Sequence, residues 1–560
     1  MSAVPAPLLD DDDQALFPKM SDAQVELLAA HGEIRPTSRG EVLFAPGDAT
    51  YDVMVVLEGS VSVLVGSGSE TRELARQRPR DLMVELNVFT GQGSEATGVV
   101  REAGAVLAVP AHDFRALVGR ELSFGELVMQ TLFRRRQALE RLRVGIRIVG
   151  SPFDRDTQRL REFALRNRLL HDWVDVEDPR AQAWLAERGI ADVTKPVVLL
   201  GGREALVDPT NAQLAGAVGL RDYPSAAEGA FDLVVVGAGP GGLAASVYGA
   251  AGGLSTCLLD AVAVGGQAAT SGRIENYLGF PAGVSGAELA QRSEVQARKF
   301  GVQIAVPSRA VGLSERAGYH VVTLADGREL LARTVVLALG VQYVRLPVPQ
   351  LADYEGGGVA YAVDVVRGDL RPGQSAVVVG GANSAGQAAL TLAEDGHHVF
   401  LVVRAPTLAA AMARYLRDRI ARDLAVDVLL GHEVRAVGGG SRLEEVTVED
   451  TVTAQTTTLR AAALVILIGA EPRTDWLPED IARDEAGYLL TGPQLDVARG
   501  QSEPWQTLGR APFLVETGRP GVFAVGDVRS GSTKMVAPAA GDGGMAVRFA
   551  RTHLARLPAR

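Results

Sequence analysis

One segment limits the fold more than any other: FDLVVVGAGPGGLAASVYGAAGGLSTCLLD, Phe231 to Asp260. An apolar run, Leu233 to Val236, leads into Gly237-x-Gly239-x-x-Gly242, then a small-residue helix, then a second apolar run ending in an acid. Gly237 permits a tight turn, Gly239 lets the backbone approach a pyrophosphate, and Gly242 lets helix and strand pack closely. The helix start offers amides and partial positive charge to phosphates, and Asp260 can take ribose hydroxyls. The pattern predicts an α/β layer that binds a dinucleotide at the end of its first strand. Cys257 is the only cysteine in the chain and lies in the second apolar run, so it reads as buried and structural. One cysteine excludes an intrachain disulfide, a Cys-x-x-Cys pair and a cysteine zinc site.

Three later segments give this pattern its context: GGQAATSGRIENYLGFP (Gly265 to Pro281), VVLALG ending at Gly340, and GVFAVGDV (Gly521 to Val528). In this order the four motifs resemble the thioredoxin reductase family of FAD-dependent pyridine nucleotide-disulfide oxidoreductases. The resemblance implies FAD, held by Gly237, Gly239, Gly242, Asp260, Gly266, Gln267, Asn276, Gly340, Gly526 and Asp527, with Asp527 accepting from the ribityl chain. It also implies a split flavin domain, residues 231–348 and 475–560.

Residues 354–472 occupy the place of that family's NADPH domain. SAVVVGGANSAGQAALTLAEDGHHVFLVVR reads as strand, turn, helix and strand, and ILIGAEPRT (Ile466 to Thr474) resembles the hinge back to the flavin domain. Gly380, Ala382, Ala385 and Arg404 are the candidate contacts for NADH or NADPH. Ala382 replaces the glycine that admits the pyrophosphate, and its methyl group obstructs backbone approach. The family clamps the NADP 2′-phosphate with paired arginines. Here Arg404 is followed by Ala405 and Pro406, and the later arginine falls near Ala409. A single cation predicts little advantage of NADPH over NADH.

The family's catalytic Cys-Ala-Thr-Cys matches Ala362-Val363-Asp364-Val365, so Ala362 and Val365 stand at the redox positions, and the acid that follows falls near Val366. Asp364 reads as a solvated loop acid, with a carboxylate that reaches the flavin as the alternative, and His397 and His398 read as surface residues. No catalytic residue is assigned, and no thioredoxin-disulfide reductase activity is expected.

Two further domains precede these. Residues 14–142 read as short strands with turns, followed by helices from Ala111 to Arg141, and resemble a cyclic-nucleotide-binding jelly roll. That family's Gly-Glu-Leu…Pro-Arg-Ala-Ala-Thr cassette matches Val84 to Thr97. Glu85 and Thr97 are kept, whereas Val84 replaces the leading glycine and Ser94 the phosphate arginine. Loss of that cation predicts weak cyclic-nucleotide binding or none. Residues 144–220 alternate strands and helices in an order that resembles a thioredoxin or glutaredoxin fold. Thr194-Lys195-Pro196 stands where that family has its cis-proline, and Ser151-Pro152-Phe153-Asp154 stands at its redox pair. Without thiols this domain cannot exchange disulfides.

The expected fold class is therefore multidomain α/β and β: a jelly roll, a thioredoxin-like domain and two Rossmann-like domains. A net charge of -11 argues against nucleic-acid or anionic-membrane partners, and no apolar run is long enough to span a bilayer. The acidic start lacks the order of a signal peptide, which predicts a cytoplasmic protein. Two functions fit. The first is an FAD-dependent NAD(P)H oxidoreductase that passes electrons to a small non-thiol acceptor, with a homodimer as an assembly the resemblance allows. The second is a flavin-containing sensor or regulator with little turnover.

Overall fold

The computed structural model describes residues 16–557 apart from 49–51, 67–70, 86, 91–93, 95, 143–144, 153, 191–193, 201–203, 221–228, 272–273, 275, 355–356, 362, 368–369, 441 and 496–504. These form two compact units. One holds the residues before the 221–228 segment together with Glu294–Pro307; the other holds the remainder.

In the front unit, six strands form one antiparallel sheet. Its spine is a pair of long strands, Val53–Val65 and Ala96–Val109. Their register shifts around Glu58 to Ser60, where Gly59 takes φ +82°. A Cβ on Gly59 would lie 2.4 Å from the Glu102 carbonyl oxygen, so this glycine allows the bulge that bends the sheet. The apolar face, including Val55, Leu107 and Val109, packs on Phe114, Leu117, Phe124 and Leu132 of the helices Ala111–Arg120 and Leu122–Arg141.

A second sheet in this unit has the order Ala205–Val207, Val197–Leu199, Ile146–Val149, His171–Val174. The last two strands are parallel and the other pairings antiparallel. That is the mixed sheet expected of a thioredoxin-like order, with Ala205–Val207 an additional strand not read from the sequence. Asp154 caps the helix Arg155–Arg166 by accepting from the Thr157 amide at 2.8 Å. The cis-proline expectation at Pro196 is corrected: among the described residues the cis peptide bond is Val306–Pro307.

The second unit contains two α/β layers. In the first, strands Thr256–Leu259, Phe231–Val236, Glu329–Leu337 and Val522–Ala524 run parallel. Glu329–Leu337 pairs with Tyr319–Leu324 through its first half and with Val522–Ala524 through its second. The chain therefore leaves four parallel strands at one edge, into Gly237, Asp260, Gly340 and Gly526. The helix Val536–Leu554 packs closely on Pro240–Ala251, because Gly241 and Gly543 carry no side chain: a Cβ on Gly543 would lie 2.2 Å from the Gly241 carbonyl oxygen.

The second layer is a five-stranded parallel sheet with the order Val359–Ala360, Ala463–Ile466, Ser375–Val379, His398–Val403, Val426–Leu430. A three-stranded meander from His432 to Arg460 completes it. Gln342–Tyr343 and Ala470–Glu471 pair antiparallel, so the outgoing and returning chains between the two layers run side by side.

Candidate functional site

The flavin-type motifs converge. The turn after Phe231–Val236 places Gly237 at φ +105°, where a Cβ would meet the Ala338 carbonyl oxygen at 2.2 Å. A Cβ on Gly242 would meet the Gly237 carbonyl oxygen at 1.8 Å. Both glycines are dictated by the fold itself. Gly239 is different. It is the N-cap of the helix Pro240–Ala251 with φ -71° and ψ -178°, a conformation open to any residue. The nearest atom to a Cβ there is the Gly266 Cα at 4.0 Å. Gly340, at φ +60°, likewise has nothing within 4 Å of an added Cβ. Gly239 and Gly340 thus border space that the protein leaves open at the carboxyl edge of the sheet, which is where a dinucleotide fits an α/β layer.

Asp260 has a role the motif did not reveal. Its Oδ2 accepts from the Ala238 amide at 2.8 Å, and its Oδ1 accepts from the Val262 and Ala263 amides at 2.8 and 3.1 Å. The carboxylate braces the glycine turn. Gln267 Nε2 donates to the Val341 carbonyl oxygen, tying the Gly266–Thr270 turn to the segment after Gly340. Asn276 is exposed and directs Nδ2 at the Met535 Sδ, 3.8 Å away. Gly526 takes φ +69°, and its amide donates to Asp542 Oδ2 at 3.2 Å, a carboxylate also held by Arg529. Burial raises the Asp527 carboxyl above its ordinary value, with Lys534 opposing and Asp542 reinforcing the shift. Lys534 lies with its Nζ 4.6 Å over the Tyr488 ring. Lys534, Tyr488 and Met535 belong to no motif, and only the folded chain brings them here.

The second glycine turn repeats the first with altered chemistry. Ala382 is the N-cap of the helix Asn383–Glu394 with φ -100° and ψ -179° and is exposed. Gly380, at φ +144°, keeps its steric role, since a Cβ would meet the Leu467 carbonyl oxygen at 2.3 Å. Ala385 is buried beneath it. Arg404 follows the strand His398–Val403 with an 81% exposed side chain, 3.9 Å from Glu433.

The surface reading of His397 is corrected. Its ring is buried and Nδ1 lies 3.2 Å from the Gln374 carbonyl oxygen, because the turn at Gly396 folds it back onto the sheet. His398 is partly exposed and 3.1 Å from Asp427. Ala362 lies outside the described residues, as do the side chains of Asp364 and Val365; Val366 is packed in the core. Cys257 is fully buried in Thr256–Leu259.

In the front unit, Ser94 is buried and its Oγ faces the Glu85 carboxylate at 3.3 Å. Burial pushes Glu85 up to about 7 against the opposing effects of Ser94 and Arg135. A half-buried acid, not a cation, therefore faces Ser94, the position where the cassette expects an arginine.

Comparison with known proteins agrees with this arrangement. A family model described as Pyridine nucleotide-disulphide oxidoreductase matches residues 231–544, more than half of the chain. The chain belongs to the pyridine nucleotide-disulphide oxidoreductase family. A cyclic nucleotide-binding domain model matches residues 34–121. Curated relatives include a 34.2 kDa protein in the rubredoxin operon of Clostridium pasteurianum, 30% identical over 331 residues, covering 58% of this chain and 97% of the relative. Thioredoxin reductase of Treponema pallidum is 29% identical over 327 residues, covering 58% and 98%. Among solved structures, Lactococcus lactis thioredoxin reductase is similar with a TM-score of 0.52 at 25% identity, covering 58% of this chain and all of that one. The fold is thus a thioredoxin reductase-like pair of Rossmann layers preceded by a cyclic-nucleotide-binding-type β domain, and the family uses FAD and NAD(P)H. Among the described residues no helix is long and apolar enough to cross a membrane.

Proposed function

We propose that this member of the family is an FAD-dependent NAD(P)H oxidoreductase whose electron acceptor is a small molecule other than a thiol or disulfide. The observation that carries the reading is a contrast. The glycine cradle around Gly239 and Gly340 is open, whereas the single cysteine is buried in a strand.

In this reading Gly237, Gly239 and Gly242 with the helix Pro240–Ala251 hold the pyrophosphate of FAD. Asp260 keeps the turn rigid, and its remaining lone pairs would be available to the ribose. Gly266, Gln267, Asn276 and Gly340 would line the flavin side, and Asp527 would accept from the ribityl chain. Bound FAD would supply hydride acceptance from a nicotinamide and electron release to the acceptor. The residues around it orient and desolvate; none moves a proton in the proposal. Gly380, Ala382, Ala385 and Arg404 form the nicotinamide-dinucleotide side. The front boundaries, 14–142 and 144–220, the division 231–348 with 475–560 and 354–472, a cytoplasmic location and a homodimer belong to the same proposal.

The second reading, a flavin-containing sensor with little turnover, is favoured by one observation: Ala382 places a methyl group where the flavin turn has none. The test is steady-state oxidation of NADH and NADPH with a quinone or dye acceptor. Many turnovers per second support the enzyme; reduction of the bound flavin without turnover supports the sensor.

A further inference from the structure

We infer that Asp542 is a positioning residue for the flavin: paired with Arg529, it holds the Gly526 amide and so fixes where Asp527 stands. This rests on the reading above that Asp527 accepts from the ribityl chain of FAD. Asp542 belongs to none of the sequence motifs. It lies in the helix Val536–Leu554, beyond the last of them.

The turn that carries Asp527 is clamped from both ends. Gly526, at φ +69°, opens the short 3-10 turn Gly526–Val528. Its amide donates to Asp542 Oδ2 at 3.2 Å. At the other end, the Arg529 amide donates to the Gly526 carbonyl oxygen at 3.0 Å. The Arg529 side chain then returns to the same acid, with Nε 3.2 Å from Oδ2 and Nη2 3.3 Å from Oδ1. One carboxylate thus ties both ends of the turn, and Asp527 stands inside the loop so closed. Asp542 is only 9% exposed, and a carboxylate at that depth needs its charge paired and its oxygens bonded. Arg529 and Gly526 supply both.

The same helix face fixes the other half of the flavin layer. Ala539, Asp542 and Gly543 stand at i, i+3 and i+4 and share one side of the helix. A Cβ on Gly526 would lie 3.3 Å from the Ala539 Cβ, and one on Gly241 would lie 3.1 Å from the Ala539 carbonyl oxygen. Gly543, next to Asp542, is the residue whose missing side chain lets Gly241 approach. Gly241 belongs to the first turn of Pro240–Ala251, the pyrophosphate helix of the flavin reading. The last helix therefore sets the second flavin motif in register with the first, and Asp542 is the polar part of that register. The two acids divide the work. Asp542 spends its oxygens on the Gly526 amide and Arg529. Asp527 accepts from no protein group among the described residues, which keeps its carboxylate for a ligand.

The test titrates FAD into the flavin-stripped full-length chain and follows the quenching of flavin fluorescence. The visible circular dichroism of the bound flavin and the melting temperature of the flavin-free chain are read beside it. Asp542→Ala should weaken FAD binding about tenfold or more, the scale of one charge-assisted hydrogen bond, and should alter the flavin's dichroism. Asp542→Asn keeps an oxygen for the Gly526 amide and should stay within about threefold of the wild type, the margin between a neutral and a charged hydrogen bond. Both variants lose the Arg529 ion pair and should melt at similarly lowered temperatures. A purely structural role therefore predicts equal losses of FAD affinity, and positioning predicts unequal ones. Should Asp542→Ala not fold, Asp542→Ala combined with Arg529→Ala leaves no buried charge unpaired and should weaken FAD to the same extent. Equal weakening in Asp542→Ala and Asp542→Asn, or unchanged affinity in Asp542→Ala or the double variant, overturns the inference. A wild type that refuses FAD removes the flavin reading and the inference with it.

Discussion

The two glycine turns of the second unit have nearly the same backbone at their central position: φ -71° and ψ -178° at Gly239, φ -100° and ψ -179° at Ala382. Each residue is the N-cap of a twelve-residue helix, and neither provides a side-chain cap. The conformation is extended and open to any residue, so folding does not demand glycine at either place. What differs is the space in front of the turn. The flavin turn leaves it free, and the second turn puts a methyl group into it. The first turn is thus fitted for close backbone approach, whereas under the proposed function a dinucleotide at the second would have to make room for the Ala382 methyl group.

The strongest way to break this comparison is to give the flavin turn a side chain. Gly239→Val should abolish flavin retention while leaving the apo-protein folded, because the nearest protein atom to an added Cβ is 4.0 Å away. The visible absorbance per chain and the circular dichroism spectrum report the two halves of this outcome. Gly242→Ala should act otherwise and impair folding itself, since its Cβ would lie 1.8 Å from a carbonyl oxygen.

A second prediction sharpens the contrast between the layers through acid. At the far edge of the flavin layer, His320 and His553 flank Gly521, whose Cβ would lie 3.1 and 2.9 Å from their Nε2 atoms. Burial, then the positive charges of Arg519 and His553, push His320 from 6.5 down to about 4. The unfolded chain therefore binds this proton more readily than the folded one. Stability from neutral His320 is complete above about pH 6.5 and is lost as the pH falls toward 4. The loss should reach roughly 3 kcal/mol. Thermal unfolding measured across that window should show it, and His320→Gln should flatten the dependence.

The mirror experiment is Ala382→Gly. Removing the methyl group should tighten NADH and NADPH alike, on the order of tenfold for one improved contact. A gain for one nucleotide alone would mean that the methyl group does not face the shared pyrophosphate. The smallest effect is expected at Cys257. Cys257→Ala should leave electron transfer within about twofold and cost about 1 kcal/mol of stability, as an ordinary buried substitution does. Loss of turnover in this variant would return thiol chemistry to the account.

The same turns show what was legible in the sequence. Gly237, Gly242 and Gly380 were readable because their glycines answer local sterics that any chain must obey. The strands leading to them were readable from their apolar runs. Asp260 was legible as an acid of the site but not as the brace of the Ala238, Val262 and Ala263 amides, because those bonds depend on how the following loop closes. A histidine pair in a polar turn reads as surface, and only the return at Gly396 buries His397, the first of the two.

The central claim is tested most directly by mixing the purified, oxidised protein with NADPH or NADH under anaerobic conditions in a stopped-flow spectrometer, then adding either a quinone or oxidised thioredoxin. The account predicts a yellow protein whose flavin absorbance bleaches on mixing and returns with the quinone but not with thioredoxin. A colourless protein that refuses added FAD, or a reduced flavin that thioredoxin reoxidises as fast as the quinone does, would contradict it.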